Sequence, residues 1–255
     1  MTGRSLSITA LAGVPLVGPG DDLGVLVRNA LAANGMALAD GDVVVLAQKI
    51  VSKAEGRQVA LAQVVPSPAA VELAATCGKD SRLVELVLSE ADEVVRARAN
   101  VLIVRHRLGL VLANAGIDQS NLGAADGPQA LLLPLDPDAS AARLRADLEA
   151  ATGRTVAVLV IDSLGRAWRL GTTGTAIGVA GLPAVQDLRG VPDLNGRRLE
   201  SSELGLADEV AAAASLAMGQ AAEGTPVVIV RGLDFAADGS TARGLVRPRD
   251  LDLFP

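Results

Sequence analysis

Apolar positions recur along the chain at two periods, one helical and one strand-like, in no regular alternation. Leu23, Leu26, Ala30 and Leu31 share a helical face, with Asp21-Asp22 placed to cap its start and Gly35 to end it. Val43-Val44-Val45-Leu46-Ala47 is a β-branched run of strand length, and the polar segment Gln48–Gly56 follows it directly. Helical spacing returns over about Arg82–Val95, carried by Leu83, Leu86, Val87 and Ala91. Val101–Val104 and Leu108–Leu112 read as two strands joined through a tight turn at His106, and a loop of turn formers, Asn114–Asn121, comes next. Leu131–Leu135 predicts a short strand and Ser140–Ala150 a helix. Thr155–Ile161 is the strongest strand signal, and it is expected to stop at Asp162.

Glycines at 165, 171, 174, 178 and 181 then punctuate a stretch with few long side chains. An Ala-rich helix over Ala207–Met218, a loop over Gly219–Gly224 and a strand over Pro226–Val230 follow. Irregular strand and helix order favours an α+β fold, with mixed or antiparallel sheets and packed helices, over a doubly wound sheet. The expected organisation is one ligand-handling unit over 1–235, built of two closely associated subdomains, and a partly exposed tail over 236–255.

Composition narrows the function. Half of the 255 residues are apolar, which excludes disorder, yet only Trp168, Phe235 and Phe254 are aromatic. Base-stacking platforms for single-stranded nucleic acid are therefore not expected, and a net charge of −6 with no basic run argues against any polyanionic polymer. One cysteine (Cys77) and one histidine (His106) leave no internal disulfide and no His/Cys zinc cluster, and fit a core thiol and a turn imidazole. With no apolar leader at Met1–Arg4 and no stretch long enough to span a bilayer, the expectation is a cytoplasmic protein without membrane attachment.

The familiar nucleotide signatures are missing. The nearest approach to a phosphate-binding loop is Gly78-Lys79-Asp80, with Leu73 where the first glycine belongs and Asp80 in place of a hydroxyl residue. No G-x-G-x-x-G follows a strand, and no nucleophile elbow accompanies the lone histidine. Two aspartates stand out instead. Asp118 and Asp162 each follow a strand-like segment, and Ser163 adds a neutral oxygen beside the second, a donor set suited to hard cations carrying phosphate. Either aspartate would serve equally as a turn or helix cap. Lys49 and Lys53 are placed to neutralise phosphate or simply to be solvated. Arg166 and Arg169, flanking Trp168, suit a carboxylate or phosphate, or a surface stack on the indole. Gly219, Gly224 and Thr225 would let backbone approach a nucleotide, as would any helix-to-strand loop. Spacing alone stops at a metal–nucleotide enzyme.

Taken together, the segments Pro19–Leu23, Gly41–Val45, Lys49–Gly56, Asn114–Asn121, Leu132–Asp138, Asp162–Arg169, Ala176–Leu182, Ala207–Glu209 and Met218–Gln220 resemble the coenzyme F420 gamma-glutamyl ligases in order and content. The resemblance runs from about Leu11 to Gly232. It implies a GTP-dependent ligase that joins L-glutamate to the phospholactyl carboxylate of the deazaflavin coenzyme F420-0 through an acyl phosphate, then extends a γ-linked glutamate tail. It also implies a homodimer using two Mg²⁺ or Mn²⁺ ions per subunit, with a role for potassium.

Carried onto this chain, Asp118 and Asp162 would hold one metal, and Ser163 and Gln220 a second. GTP would be contacted at Val14, Pro15, Leu16 and Val17, at Gln48, Lys49, Lys53 and Asn121, and along Met218, Gly219, Gln220, Ala221, Ala222, Glu223, Gly224 and Thr225. Independently of the resemblance, the forked donors of Arg166 or Arg169 are expected to hold a substrate carboxylate or phosphate. Some relatives carry a second, flavin-binding domain after the ligase; with the chain ending at Pro255, no FMN is expected. Two competitors stand beside this reading. One is a glutamate ligase for a different phosphorylated acid, and the other is a non-catalytic nucleotide-binding regulator.

Overall fold

The structure is a computed structural model, and it describes residues 5–120, 122 and 127–252. In chain order its elements are β1 (Ser7–Ala10), α1 (Leu23–Ala33), β2 (Val43–Ala47), α2 (Gln48–Ala54), β3 (Gln58–Ala60), α3 (Pro68–Cys77), α4 (Ser81–Ser89), β4 (Ala91–Arg98), β5 (Val101–His106), β6 (Val111–Ala113) and β7 (Gln129–Leu131). Then come α5 (Pro137–Thr152), β8 (Ala157–Arg166), β9 (Arg169–Ala180), β10 (Gln186–Asp187), β11 (Glu203–Leu204), α6 (Leu206–Met218) and β12 (Val227–Arg231). The α+β class with mixed and antiparallel sheets is as the sequence predicts.

A five-stranded sheet, ordered β1-β12-β2-β8-β9, forms the frame. Only β2 and β8 run parallel; every other pair in it is antiparallel. Strand alternation sends Val44 and Leu46 to one face and Val43 and Val45 to the other, and all four are buried. Helices α1, α2 and α5 cover the first face, and α6 covers the second. Cover on both sides explains why β2 reads as a continuous apolar run instead of an alternating one. A third apolar cluster, drawn from Leu61–Leu132, packs α3 and α4 against the small sheet β4-β5-β6.

Several elements depart from the sequence expectation. The helix predicted to Val95 stops at Ser89, and the chain turns into β4, which pairs with β5 through a left-handed turn residue, Asn100 (φ 63°). The predicted strand at Leu131–Leu135 instead ends at Leu131, and that at Leu108–Leu112 begins only at Val111. The polar Gln48–Ala54 stretch is helical. Most consequentially, β8 does not stop at Ile161 but runs on to Arg166, and the glycine-rich stretch after it is the long strand β9.

Glycine in β9 serves helix approach. A Cβ at Gly174 would overlap the carbonyl of Ala211 in α6, and one at Gly178 the carbonyl of Pro137 at the start of α5. Because these neighbours are backbone, relief requires moving a helix. Gly178→Ala is expected to cost about 1–3 kcal/mol, the scale of overpacking, and to lower the melting temperature without changing the far-UV dichroism of the folded state. An unchanged melting temperature would show that α5 is free to shift.

The segment after Ala236, expected to be partly exposed, is pinned at intervals. Ser240 Oγ accepts from the Ala184 amide at 2.8 Å, Asp138 accepts from the Ala242 amide at 2.8 Å, and Arg249 pairs with Glu93. Among the described residues, no helix is long and apolar enough to cross a membrane.

Candidate active site

The site lies where β2 ends, β12 begins and β8 runs on past its partner. β2 and β8 are paired through Ala47↔Ile161, and at Gln48 the chain leaves the sheet as α2. From Asp162 onward β8 has no strand partner on that side among the described residues, and its edge lines a cavity of about 880 Å³. β12 begins alongside, with the Ala47 amide bonded to the Pro226 carbonyl at 2.9 Å. Clefts beyond the carboxyl ends of parallel strands are favoured ligand sites, because chain departing there leaves side chains and backbone unpaired.

Alternation along β8 sorts its polar groups. Asp162 shares a face with Val158 and Val160, towards α2, whereas Ser163 takes the opposite face, towards α6. A register shift opposite Ile177, between Val160 and Ile161, is the kind of bulge that re-aims the side chains beside it. Ser163 Oγ accordingly reaches Gln220 Oε1, 2.6 Å away just past α6, and Asp162 Oδ1 accepts from the Ser163 amide at 2.8 Å.

On the other wall, Lys49 Nζ lies 2.6 Å from Asp118 Oδ2 and donates to Ser120 Oγ at 2.9 Å. The Ser120 amide closes an Asx turn onto Asp118 Oδ1 at 2.6 Å. Lys49 and Lys53 are one helical turn apart on α2, and both line the cavity. Gln48 is 2 % exposed; its Oε1 accepts from Ser52 Oγ, and its buried Nε2 has no partner among the described residues. That donor, on a residue lining the cavity, is available to a ligand.

Electrostatics separates the two carboxylates. Burial opposes the charge on Asp118, but the Lys49 ammonium and the Ser120 amide outweigh it and hold the carboxyl below its ordinary range. For Asp162 burial dominates; despite the Ser163 amide, and with Asp118 nearby adding repulsion, its pKa rises to about 6. Burial also depresses Lys53, with Lys49 adding to the effect. Without a cation, the Asp162 carboxylate is under-compensated, so a bound cation would relieve it.

Among the described residues, no three His, Cys, Asp or Glu side chains cluster as ligands. The donor set is two carboxylates, a hydroxyl and an amide oxygen, which leaves places for ligand phosphates and suits a hard cation better than zinc. These residues fit the cations that the sequence resemblance implies.

The loop from Met218 to Pro226 forms the remaining wall with Val14–Val17. Gly219 (φ 76°, ψ 174°) adopts a conformation open essentially to glycine alone, and Thr225 Oγ1 ties the loop back to the Met218 carbonyl at 3.0 Å. The Glu223 carboxylate folds over the Ala221 amide at 2.8 Å, which lowers its pKa.

Of the residues singled out by sequence, Val14–Val17, Gln48, Lys49, Lys53, Asp118, Asp162, Ser163 and Met218–Thr225 all line this one cavity. Asn121 falls outside the described residues. Arg166 and Arg169 do not line the cavity: they face each other at the exposed end of the β8–β9 hairpin. Sequence reasoning missed Ser120, whose signal was the Asp-x-Ser turn, and Leu112, Ile117, Leu164, Thr172 and Ser215, which carried none.

Fold and site together define a cleft on an open mixed sheet, lined by two aspartates, two lysines and a glycine-bearing loop. A profile of the F420-0:Gamma-glutamyl ligase family matches residues 13–232, and the chain belongs to that family. It is 47% identical over 252 residues, 98% of each chain, to the coenzyme F420:L-glutamate ligase of Methanothermobacter thermautotrophicus. Its likeness to the enzymes of that name from Methanopyrus kandleri (44% identity, 94% of this chain and 95% of the relative) and Methanocaldococcus jannaschii (41%, 85% and 86%) is similar.

Proposed function

We propose that this protein is a GTP-dependent ligase that joins L-glutamate to the phospholactyl carboxylate of coenzyme F420-0 and then extends the tail by γ-linked additions. The observation that supports it best is the convergence of Asp118, Asp162, Ser163, Gln220, Lys49 and Lys53, from four separate chain segments, on one cavity in a chain of this family.

A carboxylate is a poor electrophile, so amide formation in water needs it activated. Transfer of the γ-phosphoryl group of GTP to the acceptor carboxylate breaks a phosphoanhydride bond and makes an acyl phosphate. The free amine of glutamate then attacks the acyl carbon, phosphate leaves, and the amine gives up a proton. Two Mg²⁺ or Mn²⁺ ions would neutralise the triphosphate and align donor and acceptor oxygens. Asp118 and Asp162 would hold one ion, and Ser163 with Gln220 the other. Lys49, now paired with Asp118, would be freed for a phosphate oxygen if a cation were held by that carboxylate, and Lys53 would add a second point charge. Gly219–Thr225 presents backbone to the nucleotide, and the buried Gln48 amide donates to it.

The test is mass spectrometry of the protein incubated with F420-0, L-glutamate, GTP and Mn²⁺, beside no-GTP and ATP controls. A GTP-dependent product heavier by one or more glutamyl units is expected. Glutamate-dependent phosphate release without a mass shift would assign a different acceptor, and neither signal from a folded, GTP-binding protein would overturn the reading.

A further inference from the structure

The end of the β8–β9 hairpin breaks three local rules at once. Its loop is the two-residue turn Ala167–Trp168, and Trp168 sits at φ 62°, a left-handed position that favours Gly or Asn and penalises a bulky side chain. Arg166 and Arg169 are paired directly across the turn, placing like charges opposite one another. Trp168 and Leu170 are 87% and 99% exposed, although apolar side chains of this size gain by burial. The only tryptophan of the chain thus occupies a strained, largely exposed turn. Such violations gather where a surface is kept for what it binds.

Position says what that is. The stem of the hairpin is part of the cavity wall, since Ser163, Leu164 and Gly165 line it on β8 and Thr172 on β9. A register shift at Leu170-Gly171, where Gly171 has φ 82°, bends the strand immediately beyond. Trp168 follows Gly165 by three residues, a reach of at most about 10 Å along the strand. The tip therefore lies next to the cavity wall in the chain, outside the carboxylate and lysine cluster.

We propose that Trp168, with Arg166 and Arg169, is the acceptor-recognition element: the indole stacks on the flat heteroaromatic ring of the acceptor, and the arginines pair with its phosphodiester. This rests on the ligase reading above, which sets the class of acceptor. In such an acceptor the reacting carboxylate and the ring are at opposite ends. With the carboxylate at Asp162, the ring must lie away from the metal site. Among the described residues the cavity wall carries no aromatic side chain, and Trp168 lies three residues along the chain from Gly165 in that wall. Two guanidinium groups beside an exposed ring supply both halves of the recognition, a π-face and a forked donor to phosphate.

The experiment measures F420-0 binding by equilibrium dialysis, which needs no turnover, and then steady-state kinetics, for wild type, Trp168→Ala, Trp168→Phe and Arg166→Gln/Arg169→Gln. Trp168→Ala is expected to weaken F420-0 binding and raise its KM at least tenfold, the scale of a lost ring stack, with the KM for GTP unchanged. Trp168→Phe restores most of the affinity. The double arginine variant weakens binding and flattens its dependence on salt. Unchanged F420-0 affinity in folded Trp168→Ala overturns the proposal. So does a shift from dimer to monomer by sedimentation with every substrate weakened, since the tryptophan would then be a subunit contact. If wild type binds F420-0 through Trp168 but makes no glutamylated product, the ligase reading fails and the recognition element stands. If wild type does not bind F420-0, both fail.

Discussion

Asp162→Asn is expected to reduce glutamate-dependent turnover a hundredfold or more while making the cation-free protein more stable. The loss follows from removing a full charge where the proposed cation and the transferring phosphoryl group meet, since deleting one electrostatic contact of this kind costs about 10²–10³ in kcat. The gain in stability has a separate cause. The folded-state pKa of Asp162, about 6, lies above the ordinary 3.8, so the fold disfavours its ionised form. Stability from this group is fully present below the unfolded value near 3.8 and is lost as pH rises through about 6. An amide carries no such charge, so at pH 7 the variant avoids a penalty of up to about 3 kcal/mol. Calorimetry in a chelator should show the wild-type melting temperature falling between pH 4 and pH 6.5 relative to the variant. Near wild-type turnover in folded Asp162→Asn would sink the metal assignment. A variant no more stable at pH 7 would mean that Asp162 is solvated and its pKa ordinary.

This pairing of lost function with gained stability is what a preorganised site entails. β8 continues past its partner β2, so a carboxylate is held half-buried at a strand edge where only a cation or a proton can compensate it. The lysine on the facing helix is already engaged with Asp118, and it does not serve Asp162 in the same way.

The sequence carried the elements whose stability is local. The start of α1 follows from Asp22, whose Oδ1 accepts from the Val25 amide at 2.9 Å. β2 and the first part of β8 are apolar runs that only burial on both faces explains. β9 was illegible for a physical reason. Its glycines lower strand propensity, and they are there so that α5 and α6 can approach, a requirement set by tertiary packing. The false extension of α4 arose because Ala91–Val95 continues the apolar spacing, whereas those residues are held as a strand by β5. For the site, each residue type was chemically suggestive, but no spacing could bring Lys49, Asp118, Asp162 and Gln220 together. Only the family resemblance linked them, and the same resemblance gave no place to Arg166 and Arg169, whose position follows from the hairpin.

Glu90→Gln is expected to be among the most destabilising single substitutions outside the core. Glu90 caps the C-terminal end of α4 and is buried, with Oε1 2.8 Å from an Arg57 terminal nitrogen and Oε2 3.1 Å from one of Arg107. His106 Nε2, wholly buried, stands 3.5 Å from the same oxygen. The two arginines also grip the chain ahead of α5, Arg57 donating to the Leu133 carbonyl at 2.9 Å and Arg107 to that of Leu135 at 2.8 Å. Glu90 thus joins the α3–α4 cluster to the chain leaving α2, the helix that carries Lys49 and Lys53. Burial opposes its charge, but His106, Arg57 and Arg107 outweigh that and hold the pKa at about 2 against an ordinary 4.5. The stabilisation is fully present above about 4.5 and is lost as pH falls through about 2. Removing the charge leaves two guanidinium groups facing each other without it, and breaking a buried pair costs about 3–5 kcal/mol. For a chain of this size that lowers the melting temperature by on the order of 10 °C. Arg107→Gln, which removes the more exposed partner, should cost markedly less. Urea denaturation at pH 7 and pH 3 tests both statements, since the gap between wild type and Glu90→Gln must narrow in acid. A gap that stays constant would show that the variant acts through packing, and that the carboxylate charge contributes nothing to joining α4 to α2.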